Sequence, residues 1–488
     1  MNAAVLALFF FLPSLIGALQ ITDSSSVTST TADYDGNTLL LKGNVKLDHG
    51  LGKMSAEEAG LERQDSGKDF PFSLIHLRKE VVLHLKNNAE LHCEGADLDF
   101  ISMKGRLSAA DNGNVFYTTP LKKKGSDSKE LLRLLSKYVD IELTKKDLDG
   151  KKSTYDMQSL LAREQVQIEY GNQFVLNADK ALYRKQLVAN KQAQEIITAA
   201  PKDANSKCRL TYGEDIIDAD SVDLDVLEGK VTMYRPKGML SSSLVPHGQQ
   251  GGLYFTCHHL LWENAKNTLV LKGDVEVSDM ALGTVNAEEI KLVQTVSKGK
   301  RILQSIQSKA KATLRYQDTA KSSMHKLVCH GPLKFDRERL FASLESPFVD
   351  GAVPDGLQIY YEETEFATYA NKASIEYSLV GKQLIPASIQ LFGDVRIFSI
   401  DPKKPPRKGV ADRVSYLPNT KTLILAADPG KKVLFWDEEQ DLRISAPEVH
   451  ITKDPTTNKD QVKGLGKVQF VFTAEEDDFL NNLFKTHE

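Results

Sequence analysis

The chain repeats itself at long range. The nonapeptide NTLLLKGNV, Asn37 to Val45, recurs as NTLVLKGDV, Asn267 to Val275, and self-similarity of this kind means a fold assembled from repeated supersecondary units. In the first copy Leu39, Leu41, Gly43, Val45 and Leu47 share one parity, with Lys42, Asn44, Lys46 and Asp48 on the other. Period two describes a strand with one apolar and one wet face. The second copy sets Leu269, Leu271, Gly273, Val275 and Val277 against Lys272, Asp274 and Glu276. Two looser copies are REQVQIEYG, with Glu164, Val166, Ile168 and Tyr170 on one parity, and LFGDVRIF, with Leu391, Gly393, Val395 and Ile397. The central valines, Val45, Val166, Val275 and Val395, are separated by 121, 109 and 120 residues.

A second phrase, Ala-acidic-x-apolar-x-apolar, follows these valines as AEEAGL from Ala56, ADKALY from Ala178, AEEIKL from Ala287 and ADRVSY from Ala411. Further copies start at Ala219 and at Ala446, where Pro447 replaces the acid. The apolar residues at the third and fifth positions after Ala share a strand face, and the opposite parity of the Ala predicts a bend or bulge there. Cys93, Cys208 and Cys329 fall 115 and 121 residues apart, on nearly the same period, with Cys257 outside it. At two strands per layer that period covers about five layers, roughly 24 Å. Cysteines so separated cannot bridge, and they read as buried fillers. Pairing of Cys257 with Cys208 or Cys329 stays open.

The repeats set four expected β units: 32–150, 151–260, 261–368 and 369–480. Between the repeats, short strand-like runs are bounded by Gly, Asn and Asp. DSKELLRLLSKYV, Asp127 to Val139, breaks the pattern with helical spacing of Leu131, Leu132, Leu134, Leu135 and Val139 after an Asp or Ser cap, and predicts a small helical insertion. EEDDFLNNLF near the end predicts a short covering helix. SSSLVPHGQQGG, Ser241 to Gly252, and the basic PKKPPRK, Pro402 to Lys408, read as loops. The apolar run Met1 to Gln20, broken by Pro13 and ending in small residues, reads as a signal peptide over 1–18, although no Lys or Arg precedes it. An exported chain follows. A formal net charge of -4 gives no electrostatic case for nucleic acid.

ADYDGNTLLLKGNVKLDHGLGKMSAEEAGL, Ala32 to Leu61, and WENAKNTLVLKGDVEVSDMALGTVNAEEIKL, Trp262 to Leu292, resemble the LptA/OstA-like family of periplasmic lipopolysaccharide-transport proteins, whose pattern runs A-x-Y, L-x-L-x-G-x-V and A-x-x-A. The resemblance covers about 60 residues strongly and the rest diffusely. It implies an all-β fold, an elongated, twisted β-jellyroll of stacked antiparallel strands whose apolar slot carries lipid A acyl chains between inner and outer membranes. Expected partners are lipopolysaccharide and membrane-bound jellyrolls joined edge to edge, with head-to-tail self-association as a further expectation. The chain departs from the family in being several times longer than a single-domain bridge and in lacking the large barrel of the outer-membrane translocon.

In that reading the lipid-binding residues are Leu39, Leu41, Val45, Leu47, Val166, Ile168, Leu269, Leu271, Val275, Val277, Val395 and Ile397, with the wet-face Lys42, Lys46 and Lys272 near headgroups. Each of these apolar residues is equally suited to an ordinary core, since alternation shows burial and not an open slot. No G-x-S-x-G, Walker or H-E-x-x-H motif occurs, so neither catalysis nor a cofactor is expected. Cys257, His258, His259, Cys329 and His330 lack C-x-x-C spacing for zinc, and Asp218, Asp220, Asp223 and Asp225 lack the Gly-rich loop of a calcium site. His76, His84 and His92 share the parity of a wet strand face. The competing classes are a structural or adhesive exported β-solenoid with a closed core, and a polysaccharide-processing enzyme, which would need clustered carboxylates in a cleft.

Overall fold

Period-two alternation punctuated by Gly, Asn and Asp dictates strands, and the computed structural model is antiparallel β wherever it is described: residues 26–471, apart from short segments of which 242–251 is the longest. The helical structure among the described residues is a single 3-10 turn, Asn264–Lys266. Residues 1–18, read as a signal peptide, the terminal EEDDFLNNLF, and residues 242–251 and 402–404 of the two predicted loops lie outside the described residues; Arg407 and Lys408, read as loop, instead begin the strand Arg407–Leu417, where they pair with Asp437 and Trp436. Compactness divides the chain into two units, one formed by Met1–Asn172 with Asn177–Ile197, the other by Gln173–Leu176 with Thr198–Glu488.

Pairing is local in both units. A strand pairs with its successor through a hairpin and with another a short way along the chain. In the second unit Leu333–Asp336 pairs with Phe341–Glu345 and with Lys300–Ser308, and Phe341–Glu345 in turn pairs with Lys372–Val380. Long strands take two short partners along one edge, one for each half. Thr38–His49 pairs with Thr31–Tyr34 over its first half and with Ser26–Thr28 over its second. Thr268–Asp279 does the same with His259–Glu263 and Leu253–Thr256.

At the point of exchange the strand turns a corner and the inward parity slips by one. On Gly52–Glu62 the buried side chains are Met54 and Ala56, then Ala59 and Leu61; on Glu90–Asp99 they are Leu91 and Cys93, then Ala96 and Leu98. Because a one-residue slip moves side chains to the other face of a flat sheet, the bend is what lets both arms bury their apolar residues on the same side. Leu61, Ile75, Leu83, Leu91 and Leu98 are fully enclosed in the first unit, each worth about 1.5–3 kcal/mol of burial.

The predicted helical insertion is a strand. Lys129–Ser136 pairs with Val115–Lys122 along one edge and with residues 167–170 along the other. Leu132 and Leu134 point inward, and Leu131 is exposed. The LLRLL run satisfies period two as well as period 3.6, and two waiting strand edges with unpaired backbone groups decide between them.

All four cysteines are free and buried. Cys93 faces Val81, Cys208 faces Ala219 and Cys329 faces Ala312 across their ladders.

Candidate apolar interior and its corners

The geometry of the corner follows from two residues in succession with left-handed backbone. Gly43 and Asn44 have φ of 77° and 47°, Gly273 and Asp274 have 76° and 45°, and Gly393 and Asp394 have 74° and 46°. Glycine adopts this region freely and Asn or Asp tolerates it better than other residues, which is why the repeated phrase reads Gly-Asn or Gly-Asp. Each pair inserts one extra residue into its strand: Lys42 faces Glu58 while Val45 faces Ala56, Lys272 faces Glu289 while Val275 faces Ala287, and Phe392 faces Arg413 while Val395 faces Ala411. The bulge therefore sits directly before the central valine, opposite the acidic residue that follows Ala.

A backbone hydrogen bond holds each corner against the linker joining the two short partner strands. Thr30 N–H donates to Gly43 O at 2.9 Å, His258 N–H to Gly273 O at 3.0 Å and Asn371 N–H to Gly393 O at 3.0 Å. The linker side chains leave no room for a β-carbon on the glycine. A Cβ built on Gly43 would lie 2.7 Å from Thr30 Oγ1, on Gly273 2.7 Å from His258 Nδ1 and on Gly393 2.9 Å from Asn371 Nδ2.

Two corners carry no glycine. Glu164 and Gln165 (φ 64° and 53°) precede Val166, and the N–H of Lys137 donates to Glu164 O at 3.0 Å. Lys79 and Glu80 (φ 63° and 51°) precede Val81, which faces Cys93 as Val45 faces Ala56. Sequence reasoning missed this fifth corner. The Val81 to Cys93 spacing of 12 residues, matching Val166 to Ala178 and Val275 to Ala287, was the available signal.

Of the predicted lipid-binding residues, Leu41, Val45, Leu47, Val166 and Ile168 are buried in the first unit, and Leu269, Leu271, Val275, Val277 and Val395 in the second. Leu39 and Ile397 are half-buried. The structure brings Leu41, Val45 and Leu47 to one interior and Leu269, Leu271, Val275 and Val277 to another. Lys42, Lys46 and Lys272 are on the wet face, the last paired with Glu289 at 3.0 Å.

Several of the remaining candidates form ion pairs. Asp218 binds Arg209 at 2.8 Å and Asp220 binds Lys207 and Arg235. His76 sits 2.7 Å from Asp97, and His84 and His92 share Glu90. Among the described residues no group of three or more His, Cys, Asp and Glu side chains is placed to hold a metal ion. A shallow groove of about 410 Å³ on the outer face of the second unit is lined by Ile216, Met239 and Tyr254 with Asp218, Lys237 and Glu276; no sequence motif marks it.

A different cluster forms in the second unit where Tyr212, Trp262 and Arg301 meet. The guanidinium of Arg301 lies 4.3 Å from the ring centre of Tyr212 and 4.6 Å from that of Trp262, which meet edge to face. Arg301 also donates to Asn264 Oδ1 and, at 3.5 Å, to Gln294 Oε1. No protein-family model and no curated protein matches this chain.

Proposed function

We propose that the protein is a lipid-carrying bridge of the cell envelope, holding the acyl chains of a lipopolysaccharide-type lipid in the interior that its corners line. The observation that carries this reading is the recurrence of one corner, which in each unit delivers apolar residues from both arms of a bent strand to a common interior. Val45, Val81 and Val166 recur in this role in the first unit, Val275 and Val395 in the second. An interior made of near-equivalent apolar positions binds methylene groups at about 0.8 kcal/mol each without fixing their register, so a chain slides between neighbouring positions. The resemblance of Ala32 to Leu61 and Trp262 to Leu292 to lipopolysaccharide-transport proteins supports the lipid class, and the apolar N-terminal run supports a periplasmic location.

The edge strands support the partner. Ser26–Thr28 and Thr31–Tyr34 are exposed along their whole length and pair, among the described residues, on one edge alone, with Thr38–His49. A free antiparallel edge accepts a further strand from another jellyroll.

The complete burial of Leu271 and Val395 favours a second reading, a structural β protein with a closed core. Photocrosslinking separates the two. A photoreactive residue is placed in turn at Leu41, Val166, Leu271 and Val395, with exposed Lys46 as control, and the folded protein is exposed to purified lipopolysaccharide. Adducts at the four inward positions and none at Lys46 are expected; their absence from all four in folded protein assigns a closed core.

A further inference from the structure

Arg301 is half-buried with its Nε fully enclosed, and withdrawing a cation from water is costly unless its charge is compensated. The position of Arg301 shows that the fold does not require one. Three strand pairs share a second kind of bulge near their hairpin ends. The residues just past it, Leu143, Gln294 and Tyr377, send their N–H groups to the carbonyls of Met103, Asn267 and Leu340, each with left-handed backbone. Across the ladders they face Met157, Leu303 and Pro386. Two residues back along those strands stand Tyr155, Arg301 and Leu384. Tyr155 and Leu384 are buried apolar side chains. Where the two equivalent sites pair Leu143 with Tyr155 and Tyr377 with Leu384, this one places Gln294 and Arg301.

The donors of this cluster outnumber its acceptors. Asn264 and Gln294 take two guanidinium nitrogens, and Arg301 Nε is buried without a hydrogen-bond partner, as is the indole Nε1 of Trp262, a residue 4% exposed. Buried donors are normally satisfied. Among the described residues no carboxylate forms an ion pair with Arg301. The buried Asp215 is close enough for Arg301 to favour its carboxylate charge, yet its hydrogen bonds come from the N–H and hydroxyl of Ser241, both to Oδ1, at 2.7 and 2.8 Å. The guanidinium carbon lies over the rings of Tyr212 and Trp262, which with Asn264 and Gln294 fix its position while its Nε–H is left for an acceptor.

From this geometry we propose that Arg301 and Trp262 form an oxyanion niche beside the apolar side chains of the second unit, taking a phosphate oxygen of a lipid headgroup. Both are donors only, so the ligand presents acceptors. The walls are aromatic and continue into buried Leu260, Leu269 and Leu292, so the ligand's other end is hydrocarbon. This deepens the acyl-carrying reading and rests on it.

The test uses the full chain with Trp436→Phe, which leaves Trp262 as the sole tryptophan, and reads its fluorescence. Short-chain phosphatidic acid below its micelle concentration, the matching diacylglycerol and inorganic phosphate are titrated in turn. The expected result is a saturable spectral shift with phosphatidic acid, weak or absent with diacylglycerol, whose half-saturation rises at least tenfold in Arg301→Leu. That variant copies Leu384 at the equivalent position, and Arg301→Gln serves as a second, polar replacement. Equal response to phosphatidic acid and diacylglycerol, unchanged in both variants, overturns the niche. A response to inorganic phosphate alone overturns the headgroup assignment. Crosslinks from Leu271 to lipopolysaccharide in Arg301→Leu distinguish failure of the niche from failure of the acyl-carrying interior.

Discussion

Val395 faces Ala411 across an antiparallel ladder immediately after a left-handed Gly-Asp corner, and the same pairing recurs as Val45 with Ala56 and Val275 with Ala287. The pair divides a fixed volume at the bend between one branched and one small side chain. Val395→Ala should cost about 2–3 kcal/mol through the cavity it leaves, and Ala411→Val about 1–3 kcal/mol through overpacking. The double variant Val395→Ala/Ala411→Val should recover at least 1 kcal/mol of the summed loss. Thermal midpoints of the four proteins measure the coupling; simple additivity would show that the two residues do not share one space.

The corner backbone is testable at its two chemistries. Gly43→Ala adds a Cβ to a left-handed residue against Thr30, at a cost of about 1–3 kcal/mol. Lys79→Gly/Glu80→Asn, which writes the Gly-Asn sequence into a corner built from side-chain-bearing residues, should stabilise by about 1 kcal/mol. The exposed Lys79–Glu58 pair that this removes contributes little. Chemical denaturation of both variants against the parent reads the two opposite signs.

His49 supplies a pH dependence. It is buried between Phe100 and Tyr155, with ring centres 4.3 and 5.1 Å away, and its Nδ1 accepts the N–H of Leu51. Burial, aided by Lys86, lowers its pKa from 6.5 to about 4. The folded state therefore prefers the neutral ring. This contribution is complete above about pH 6.5 and is lost as pH falls from there towards 4, to a limit of about 3 kcal/mol. His49→Phe should be less stable at pH 7, having no acceptor for Leu51, and should lose less stability than the parent between pH 7 and 4.5. Parallel slopes would remove His49 from the acid response.

The four thiols should be silent in the native protein. All are buried, and burial pushes Cys93 up to about 12 and Cys208 and Cys257 up to about 11, so little reactive thiolate forms near neutral pH. Ellman's reagent at pH 8 should label none in folded protein and four in urea. Fewer than four in urea would reveal a bridge.

The period-two alternation and the repeated phrase made the strands, the inward residues and three of the corners legible, because each depends on residues adjacent in the chain. Lys129–Ser136 was misread because LLRLL carries both periods, and the choice rests on strand edges contributed by residues 115–122 and 167–170. The corner at Lys79–Glu80 escaped because tertiary packing, not glycine, holds its left-handed backbone. The Arg301 cluster was illegible for a different reason: Tyr212, Trp262 and Arg301 meet only after three separate strands are in register. Nothing local to any of them announces it.

The pairing pattern also governs how such a chain can be made. Met233 meets Leu260, Ile306 meets Phe335 and Leu327 meets Tyr361, so each partner lies a few dozen residues away and loop closure stays inexpensive for an all-β protein. Within a unit every completed pair of arms is a template for the next pair. The chain can therefore fold in the order in which it emerges, as a growing front that never waits for its far end.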